Sequence, residues 1–284
     1  MAKKKNLVLS PVVKWVGGKR QLLNEIIPMI PKKYSTYYEP FLGGGAVLFN
    51  LQPKKAVVND FNGELINVYN VIRDKPEELV ENLKIHKKNN TSEYFYAIRE
   101  YDRDTGLYEK LTSVEKAARI IYLNKTCYNG LYRVNSAGHF NTPYGRYKNP
   151  NIVNEPVVKA MSKYFNENDI TIKNCDFRDA LKGVRKGAFV YLDPPYMPIS
   201  TSSSFTGYTE NGFDADMQIE LKKVCDKLNE KGIKFLQSNS DCEFIRELYK
   251  EYNIKIVKAK RFVNSKGNSR GEINEVLIYN YEQK

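Results

Sequence analysis

The sequence predicts an α/β fold in which a mostly parallel sheet is interrupted by a mainly helical insertion. Three short β-rich segments, 55–59, 188–192 and 233–237, are separated by helical patterns. Polar residues follow each segment: Asp60 after the first, Asp193 after the second and Ser238-Asn239 after the third. This alternation is typical of a mostly parallel α/β sheet. Because ligands of such sheets bind beyond the carboxyl ends of the strands, Asp60 and Asp193, which follow the first two segments, lie where chemistry is expected.

The insertion is predicted to span residues 61–160. Helical periodicity covers residues 62–90, and Pro76 marks the first turn of a second helix there. A further helix is predicted from Ser113 as the N-cap, with Lys116 in place of the Glu of a capping box. The apolar faces of these helices are predicted to hold Leu65, Val68, Tyr69, Ile72, Val114, Ala117, Ala118, Ile121 and Tyr122.

Charge is the unusual feature of the composition. The 284 residues are 42% hydrophobic, but the net charge is +12 and the pI is near 9.3. A basic balance favours a polyanionic partner, and it also fits an acidic membrane surface or a merely soluble protein. No apolar run reaches transmembrane length, and the lysine-rich start lacks the apolar stretch of a signal peptide. We therefore expect a cytoplasmic protein that does not bind membranes.

The cysteines predict neither a zinc site nor disulfides. The chain has no CxxC pair, and only His86 and His139 could add imidazole ligands. A reducing cytoplasm also disfavours disulfides, so we expect small, mostly buried apolar residues at all four positions. The four cysteines are Cys127, Cys175, Cys225 and Cys242.

A glycine-rich turn lies upstream of Asp60. Residues Phe41 to Gly45 read Phe-Leu-Gly-Gly-Gly, and Gly43 and Gly45 would let the backbone approach a ligand closely. A carboxylate at a strand end, such as Asp60, suits the two hydroxyls of a ribose. Either feature alone is common. Together, with the spacing of successive strand ends, they predict a nucleoside-containing cofactor.

The run Asp193-Pro194-Pro195-Tyr196 carries the most informative chemistry. The amino nitrogen of adenine is a weak nucleophile, so its attack on a methyl sulfonium needs acceptors that draw its protons out of the ring plane. The Asp193 carboxylate would supply one acceptor and the Pro194 carbonyl the other, because proline fixes φ near about −65° and has no competing N–H. Tyr196 could stack on an extruded base. The alternative is a strand that ends in a polyproline turn with a packed tyrosine.

The sequence resembles the Dam family of DNA adenine-N6 methyltransferases in motifs that run through nearly the whole chain. The matching segments are Lys14 to Lys19, Phe41 to Gly45, Asn59 to Asn62, Tyr128 to Lys148, Asp176-Phe177 and Asp193 to Tyr196. The resemblance implies a Rossmann-like methyltransferase fold, S-adenosylmethionine as cofactor, double-stranded DNA as partner and no metal. Residues 1–60 and 161–284 would form the catalytic domain, and residues 61–160 the target-recognition domain.

The resemblance implies that Trp15 and Lys19 line the cofactor pocket and that the pair Asp176-Phe177 contacts the adenine of the cofactor. Lys19 can neutralise the methionine carboxylate, and the Trp15 ring attracts a sulfonium. A surface lysine and a core tryptophan are the alternatives. The full set of predicted cofactor contacts is Trp15, Lys19, Phe41, Gly43, Gly45, Asp60, Asp176, Phe177 and Asp193.

Residues 127–149 are dense in Asn, Gly, Arg and Tyr, with a hairpin turn predicted at Ser136-Ala137-Gly138. Within them, the block from Tyr128 to Lys148 resembles the family's DNA-recognition hairpin. Arg133 suits a bidentate contact with guanine, and Tyr128 is among the residues that could wedge between bases. A basic surface loop is the alternative. The predicted DNA contacts are Lys14, Tyr128, Asn129, Leu131, Arg133, Pro143, Arg146, Tyr147 and Lys148. The resemblance implies the target GATC, with its adenine methylated.

Three alternatives remain open from the sequence. An RNA adenine methyltransferase or a cytosine-N4 methyltransferase would use similar cofactor chemistry, and a sequence-specific DNA-binding regulator could have lost catalysis. A monomer is expected. Two further segments are interpreted from composition: a polar loop at 200–204, and a basic stretch at 260–271 that either contacts phosphates or is a solvated hairpin.

Overall fold

The computed structural model describes residues 5–198, 213–260 and 272–283. The predicted polar loop at 200–204 and nearly all of the basic stretch at 260–271 lie outside these ranges. The chain divides into two compact units. The first unit contains residues up to 18, 43–54 and 59–175, and the second contains 19–42, 55–58 and the residues from 176 onward. The predicted helical insertion lies within the first unit, while its assignment as a separate recognition domain stays a prediction.

The second unit is built on a mixed sheet. Its strands are β1 (Tyr37–Glu39), β2 (Lys55–Asn59), β4 (Phe189–Leu192), β5 (Lys234–Ser240), β6 (Asn253–Lys260) and β7 (Glu272–Tyr279). They are ordered β2-β1-β4-β5-β7-β6. The first four are parallel, with Tyr37 opposite both Ala56 and Phe189. The strand β7 is antiparallel to both of its neighbours, β5 and β6, with Glu275 opposite Ser240. The predicted α/β class with a mostly parallel sheet is confirmed.

The parallel strands are the most buried part of this sheet, as is expected where both faces are covered. All four residues of β4 are buried, as are six of the seven in β5. Helices α1 (Leu23–Met29), α9 (Phe177–Ala180), α10 (Ala215–Glu230) and α11 (Glu243–Leu248) belong to this unit. The third predicted strand is longer than expected: β5 extends through Ser238 and Asn239, which were expected to follow it, and ends at Ser240.

The first unit is mainly helical. It contains α2 (Ala46–Leu51), α3 (Gly63–Asp74), α4 (Pro76–Lys88), α5 (Ser92–Glu100), α6 (Thr105–Lys110), α7 (Ser113–Thr126), α8 (Glu155–Glu167) and the strand β3 (Asp169–Lys173). The predicted break at Pro76 is confirmed, with Pro76 in the first turn of α4. Each of the nine residues predicted for the apolar faces of α3 and α7 is buried.

The N-cap of α7 corrects the sequence interpretation by one residue. Thr112, not Ser113, is the N-cap: its hydroxyl accepts a hydrogen bond from the Glu115 backbone N–H. The Glu115 carboxylate accepts in return from the Thr112 backbone N–H at 2.8 Å. A capping box is therefore present, because shifting the cap back by one residue places a glutamate instead of Lys116 at the third helical position.

The remaining sequence expectations concern the cysteines, metals and membranes. All four cysteines are free; Cys127 and Cys225 are buried, whereas Cys175 and Cys242 are half-buried. Among the residues that the structure describes, no cluster of three or more His, Cys, Asp or Glu could hold a metal ion. Over the same residues, no helix has the length and apolar character that crossing a membrane requires.

Candidate functional site

Asp193 follows β4 directly, and two side chains of the second unit hold one of its carboxylate oxygens. The Lys19 ammonium lies 2.8 Å from Oδ1, and the Ser238 hydroxyl donates to the same oxygen at 2.9 Å. Ser238 reaches it because β5 is the parallel neighbour of β4. Within the described ranges no hydrogen bond to Oδ2 is found, so this oxygen is available to accept one from a ligand.

Burial sets the electrostatics of Asp193. The side chain is 18% exposed and Lys19 only 6%. Burial raises the pKa of the Asp193 carboxyl, and the Lys19 ammonium and the Ser238 hydroxyl partly offset that rise. This burial follows from the position of Asp193 directly after β4, all of whose residues are buried.

The backbone after Asp193 is fixed by a chain of buried amides. The Gln218 side chain donates to the Pro195 carbonyl at 2.8 Å and accepts from the Asn239 amide at 3.1 Å. Asn239 also accepts from the Met197 N–H, while Ser240 donates to the Met197 carbonyl at 2.6 Å. Gln218, Asn239 and Ser240 are all buried. This network holds the loop in one conformation, because breaking it would leave buried polar groups unpaired.

Tyr196 has a polar anchor at its hydroxyl and a cation at its ring. The hydroxyl donates to the Glu275 carboxylate at 2.6 Å, and the Lys19 ammonium lies 4.5 Å from the ring centroid. Burial, together with the nearby carboxylates of Asp193 and Glu275, raises the pKa of the Tyr196 phenol well above its usual value. Tyr196 is therefore a proton donor in this contact, and Lys19 contacts both ends of the predicted catalytic run.

Asp176 and Phe177, the pair predicted to read the cofactor's adenine, begin the short helix α9. Asp176 is its N-cap and also pairs with Arg178 at 2.7 Å, which lowers the pKa of the Asp176 carboxyl. Phe177 packs against Phe41, with ring centroids 5.3 Å apart. Phe213 contacts both rings. The structure thus brings the predicted residues Phe41 and Phe177 together in an aromatic cluster.

In the first unit, the glycine-rich turn and Asp60 are joined directly. The Gly43 N–H donates to Asp60 Oδ2 at 2.8 Å, and the Asn62 N–H donates to Oδ1 at 2.9 Å. Trp15 covers the turn: a side chain at Gly43 would place its Cβ 3.1 Å from the Trp15 ring. Trp15 is half-buried and stacks on Tyr132. Four predicted cofactor residues, Trp15, Gly43, Gly45 and Asp60, therefore lie around one turn.

Gly45→Ala should destabilise the protein more than Gly138→Ala. Both glycines have positive φ, +71° and +80°, where alanine costs roughly 1–2 kcal/mol. A Cβ at Gly45 would lie 2.6 Å from the Phe49 ring, whereas nothing lies within 4 Å at Gly138. That crowding should add about 1–3 kcal/mol. Equal losses in the free energy of unfolding, measured with denaturant, would show that the Phe49 contact has no cost.

The predicted hairpin is present in the first unit. Val134 and Phe140 form an antiparallel bridge, as do Cys127 and Tyr144. The predicted turn at Ser136-Ala137-Gly138 is confirmed by the hydrogen bond from the Gly138 N–H to the Asn135 carbonyl. The Arg133 Nε donates to Asn141 Oδ1 across the hairpin at 2.7 Å. This bond restrains the guanidinium plane of an otherwise exposed arginine.

Most residues predicted to contact DNA are exposed on or beside this hairpin. Tyr128 is 58% exposed and Tyr147 is 42% exposed, which is unusual for large aromatic side chains. Leu131 is half-buried, whereas the other predicted contacts are exposed: Lys14, Asn129, Arg133, Pro143, Arg146 and Lys148. Lys14 lies beside the hairpin, because its ammonium donates to the Asn129 carbonyl at 2.6 Å.

A buried amide joins Lys14 to the hairpin. The Asn124 side chain accepts from the Lys14 N–H at 2.8 Å and donates to the carbonyls of Lys14 and Gly130. Asn124 is 2% exposed. It was not identified from the sequence, since nothing in a single helical asparagine indicates a partner 110 residues away. Ser238, Gln218 and Glu275 were missed as site residues for the same reason, although Ser238 had been noted as a polar strand end.

Comparison with known proteins identifies the family of the chain. Residues 15–263 match the family described as D12 class N6 adenine-specific DNA methyltransferase. A Type II methyltransferase of Lactococcus lactis subsp. cremoris is 47% identical, with 99% of each chain covered. Another of Methanocaldococcus jannaschii is 41% identical, with 96% of this chain and 99% of the relative covered.

A DNA adenine methylase of Escherichia coli is 32% identical, with 93% of each chain covered. These relatives match the chain over nearly its whole length, and so over both compact units. The chain belongs to the D12 class of N6 adenine-specific DNA methyltransferases and is an enzyme that methylates adenine in DNA.

Proposed function

We propose that this enzyme transfers the methyl group of S-adenosylmethionine to N6 of the adenine in GATC, in double-stranded DNA. The observation that carries the proposal is the asymmetric environment of the Asp193 carboxylate. Oδ1 is held by Lys19 and Ser238, whereas Oδ2 is available for an amino proton of the target base. A fixed acceptor costs little reorganisation when charge develops on the nitrogen.

The Pro194 carbonyl is the proposed second acceptor. The following peptide is immobilised by the bond from Gln218 to the Pro195 carbonyl, and proline has a fixed φ, so the acceptor edge is rigid. Two acceptors on one amino group draw both protons away from the ring plane and expose the lone pair of the nitrogen. Tyr196, anchored at its hydroxyl, would stack on the adenine once the base is flipped out of the duplex.

The residues around the glycine-rich turn fit S-adenosylmethionine. When bound, this cofactor supplies an electrophilic methyl group on a positively charged sulfur. Each Asp60 oxygen accepts one backbone N–H and keeps lone-pair capacity for a ribose hydroxyl. Gly43 and Gly45 have positive φ, which brings backbone rather than side chain toward a ligand. The Trp15 ring beside Gly43 suits a sulfonium.

The predicted role of Lys19 is modified in this proposal. The sequence suggested that Lys19 neutralises the methionine carboxylate of the cofactor. Its ammonium lies against Asp193 and Tyr196, so we assign it to holding the catalytic carboxylate instead. Asp176 and Phe177 remain the proposed contacts of the cofactor's adenine, with Phe41 packed behind Phe177.

The target sequence GATC is proposed from the exposed side chains on and beside the hairpin. Arg133 is exposed and restrained by Asn141, which suits a bidentate contact with guanine in the major groove. Lys14 would contact the other guanine, while Tyr128 and Leu131 would fill the space left by the flipped base. The Type II relatives favour a role in restriction-modification. A cytoplasmic monomer stays our expectation.

Asp60→Ala should weaken S-adenosylmethionine binding by roughly 1–3 kcal/mol, because hydrogen bonds to a charged acceptor are lost. Titration calorimetry without DNA measures this directly. Because Asp60 also holds Gly43 and Asn62, the melting temperature must be recorded in parallel. Asp74→Ala, an exposed carboxylate on α3, is the matched control. Unchanged affinity for the cofactor would restrict Asp60 to ordering the turn.

The proposed reaction is tested by incubating unmethylated plasmid with the enzyme and S-adenosylmethionine. We expect protection from a nuclease that cuts only unmethylated GATC, and sensitivity to one that requires N6-methyladenine there. Methyl transfer to RNA, or to cytosine N4, would overturn the assignment of the substrate. Cofactor binding without any transfer would favour the DNA-binding regulator that was left open from the sequence.

A further inference from the structure

We propose that Glu275 is a positioning residue of the methyl-transfer site, which orients the Tyr196 ring for stacking on the target adenine. The inference rests on the proposed stacking role of Tyr196 and extends it to a residue 79 positions away in sequence. It also assigns a task to a half-buried carboxylate that the mechanism above leaves unused.

The contact between Glu275 and Tyr196 is short and charge-assisted. The phenol oxygen lies 2.6 Å from the Glu275 carboxylate, within the range of an O–H donor on an ionised acceptor. A phenyl ring held only by packing can rotate about its χ1 and χ2 bonds. A hydrogen bond at its far end fixes χ1 and so the position of the ring, since the hydroxyl must stay on the carboxylate, and the preference of a phenol O–H for the ring plane restrains χ2.

The position of Glu275 in the sheet makes it a rigid anchor. Glu275 lies within β7, opposite Ser240 of β5 and Val257 of β6. Ser240 in turn donates to the Met197 carbonyl, immediately after Tyr196. The residue that follows Tyr196 is thus tied to β5, and the Tyr196 hydroxyl to β7. The ring cannot shift without breaking one of these bonds.

The charges around Tyr196 support a site-specific role for Glu275. Lys19 faces Asp193 at 2.8 Å and the Tyr196 ring at 4.5 Å. Burial raises the pKa of the Glu275 carboxyl, and the charge of Lys19 partly offsets that rise. With both carboxylates ionised, Lys19, Asp193 and Glu275 sum to one negative charge. That excess suits a base that becomes positively charged as it accepts a methyl group.

The test replaces the target adenine with 2-aminopurine, whose fluorescence rises when the base leaves the duplex and is quenched when it stacks on an aromatic ring. Glu275→Ala should bind and flip the base but give brighter fluorescence than the wild type, because the ring no longer stacks in register. In parallel, kcat on the adenine duplex should fall by about tenfold to a hundredfold, with KM for DNA nearly unchanged.

A double-mutant cycle ties the effect to the hydroxyl. Tyr196→Phe removes the donor and keeps the ring, so Tyr196→Phe combined with Glu275→Ala should be no slower than the worse single variant. Glu275→Gln keeps the size and an oxygen acceptor and should lose less activity, which covers the case of an alanine variant that does not fold. Glu230→Gln, at an exposed position of α10, is the matched control.

The outcomes separate this inference from the proposed function. A wild-type enzyme that transfers no methyl to adenine in DNA would overturn the proposed function itself. An active wild type with unchanged fluorescence and kcat in Glu275→Ala would overturn the positioning role alone. Additive decreases in kcat for the two substitutions of the double-mutant cycle would also overturn the positioning role, because they would show that Glu275 does not act through Tyr196.

Discussion

Asp193→Ala is expected to lower methyl transfer by about 10²–10³-fold or more, the usual cost of removing one oriented acceptor from a transition state. DNA and cofactor binding should change little. The reason is that the hydrogen bond accepted by Oδ2 reaches its full strength only in the transition state, when the amino nitrogen becomes tetrahedral and its protons become acidic. Single-turnover rates with saturating DNA and cofactor measure that step without interference from binding or product release.

Two further variants distinguish the loss of the acceptor from a loss of folded structure. Asp193→Ala leaves the buried Lys19 ammonium without its closest carboxylate, which could destabilise the fold. Asp193→Asn keeps the shape and one oxygen acceptor, and it should be slow while melting near the wild-type temperature. Asp216→Ala, an exposed carboxylate at the start of α10, should be fully active. Near-normal turnover in Asp193→Ala would remove Asp193 from the mechanism.

Arg133→Ala is expected to relax specificity at one base pair of the target by about 1–3 kcal/mol, as the loss of a bidentate contact with guanine predicts. In a palindromic site, an arginine can read a cytosine position through the guanine on the opposite strand. Relative kcat/KM values on GATC and on duplexes altered at each position give the discrimination directly. One altered duplex should approach GATC in rate, and the others should not.

Lys148→Ala is the matched control for Arg133→Ala. Both remove an exposed positive charge from the same segment of the first unit, but a lysine that contacts phosphate carries no sequence information. Lys148→Ala should therefore weaken binding to every duplex alike and make the dependence on salt shallower. If Arg133→Ala instead loses affinity equally for all sequences, the hairpin assignment is wrong, although the enzyme class stands.

Features determined by local sequence were predicted well. The strand before Asp193, the start of α4 at Pro76 and the turn at Gly138 each depend on residues within a few positions of one another. The cap of α7 was misplaced by one residue, since Thr112 and Ser113 are both good capping residues. Only the position of Glu115 distinguishes the two, because it completes a capping box with Thr112 and not with Ser113.

Features that depend on distant residues were not predicted. Ser238 reaches Asp193 because β4 and β5 pair in one register, and Glu275 reaches Tyr196 because β7 returns beside β5. Burial of the Asp193 carboxylate has the same origin. The nearest indication in the sequence was the charged residue Glu275, which directly precedes the apolar run Val276 to Ile278 of β7, because an unpaired charge buried beside that run would be costly.

Mapping the methylated atom tests the central claim most directly. A duplex with a single GATC is incubated with enzyme and isotope-labelled S-adenosylmethionine, then digested to nucleosides and analysed by mass spectrometry. A matched duplex with thymine and adenine exchanged within the site serves as the control. We predict one labelled N6-methyladenine per strand in the first duplex and almost none in the second. Label on cytosine, or equal labelling of both duplexes, would contradict the account.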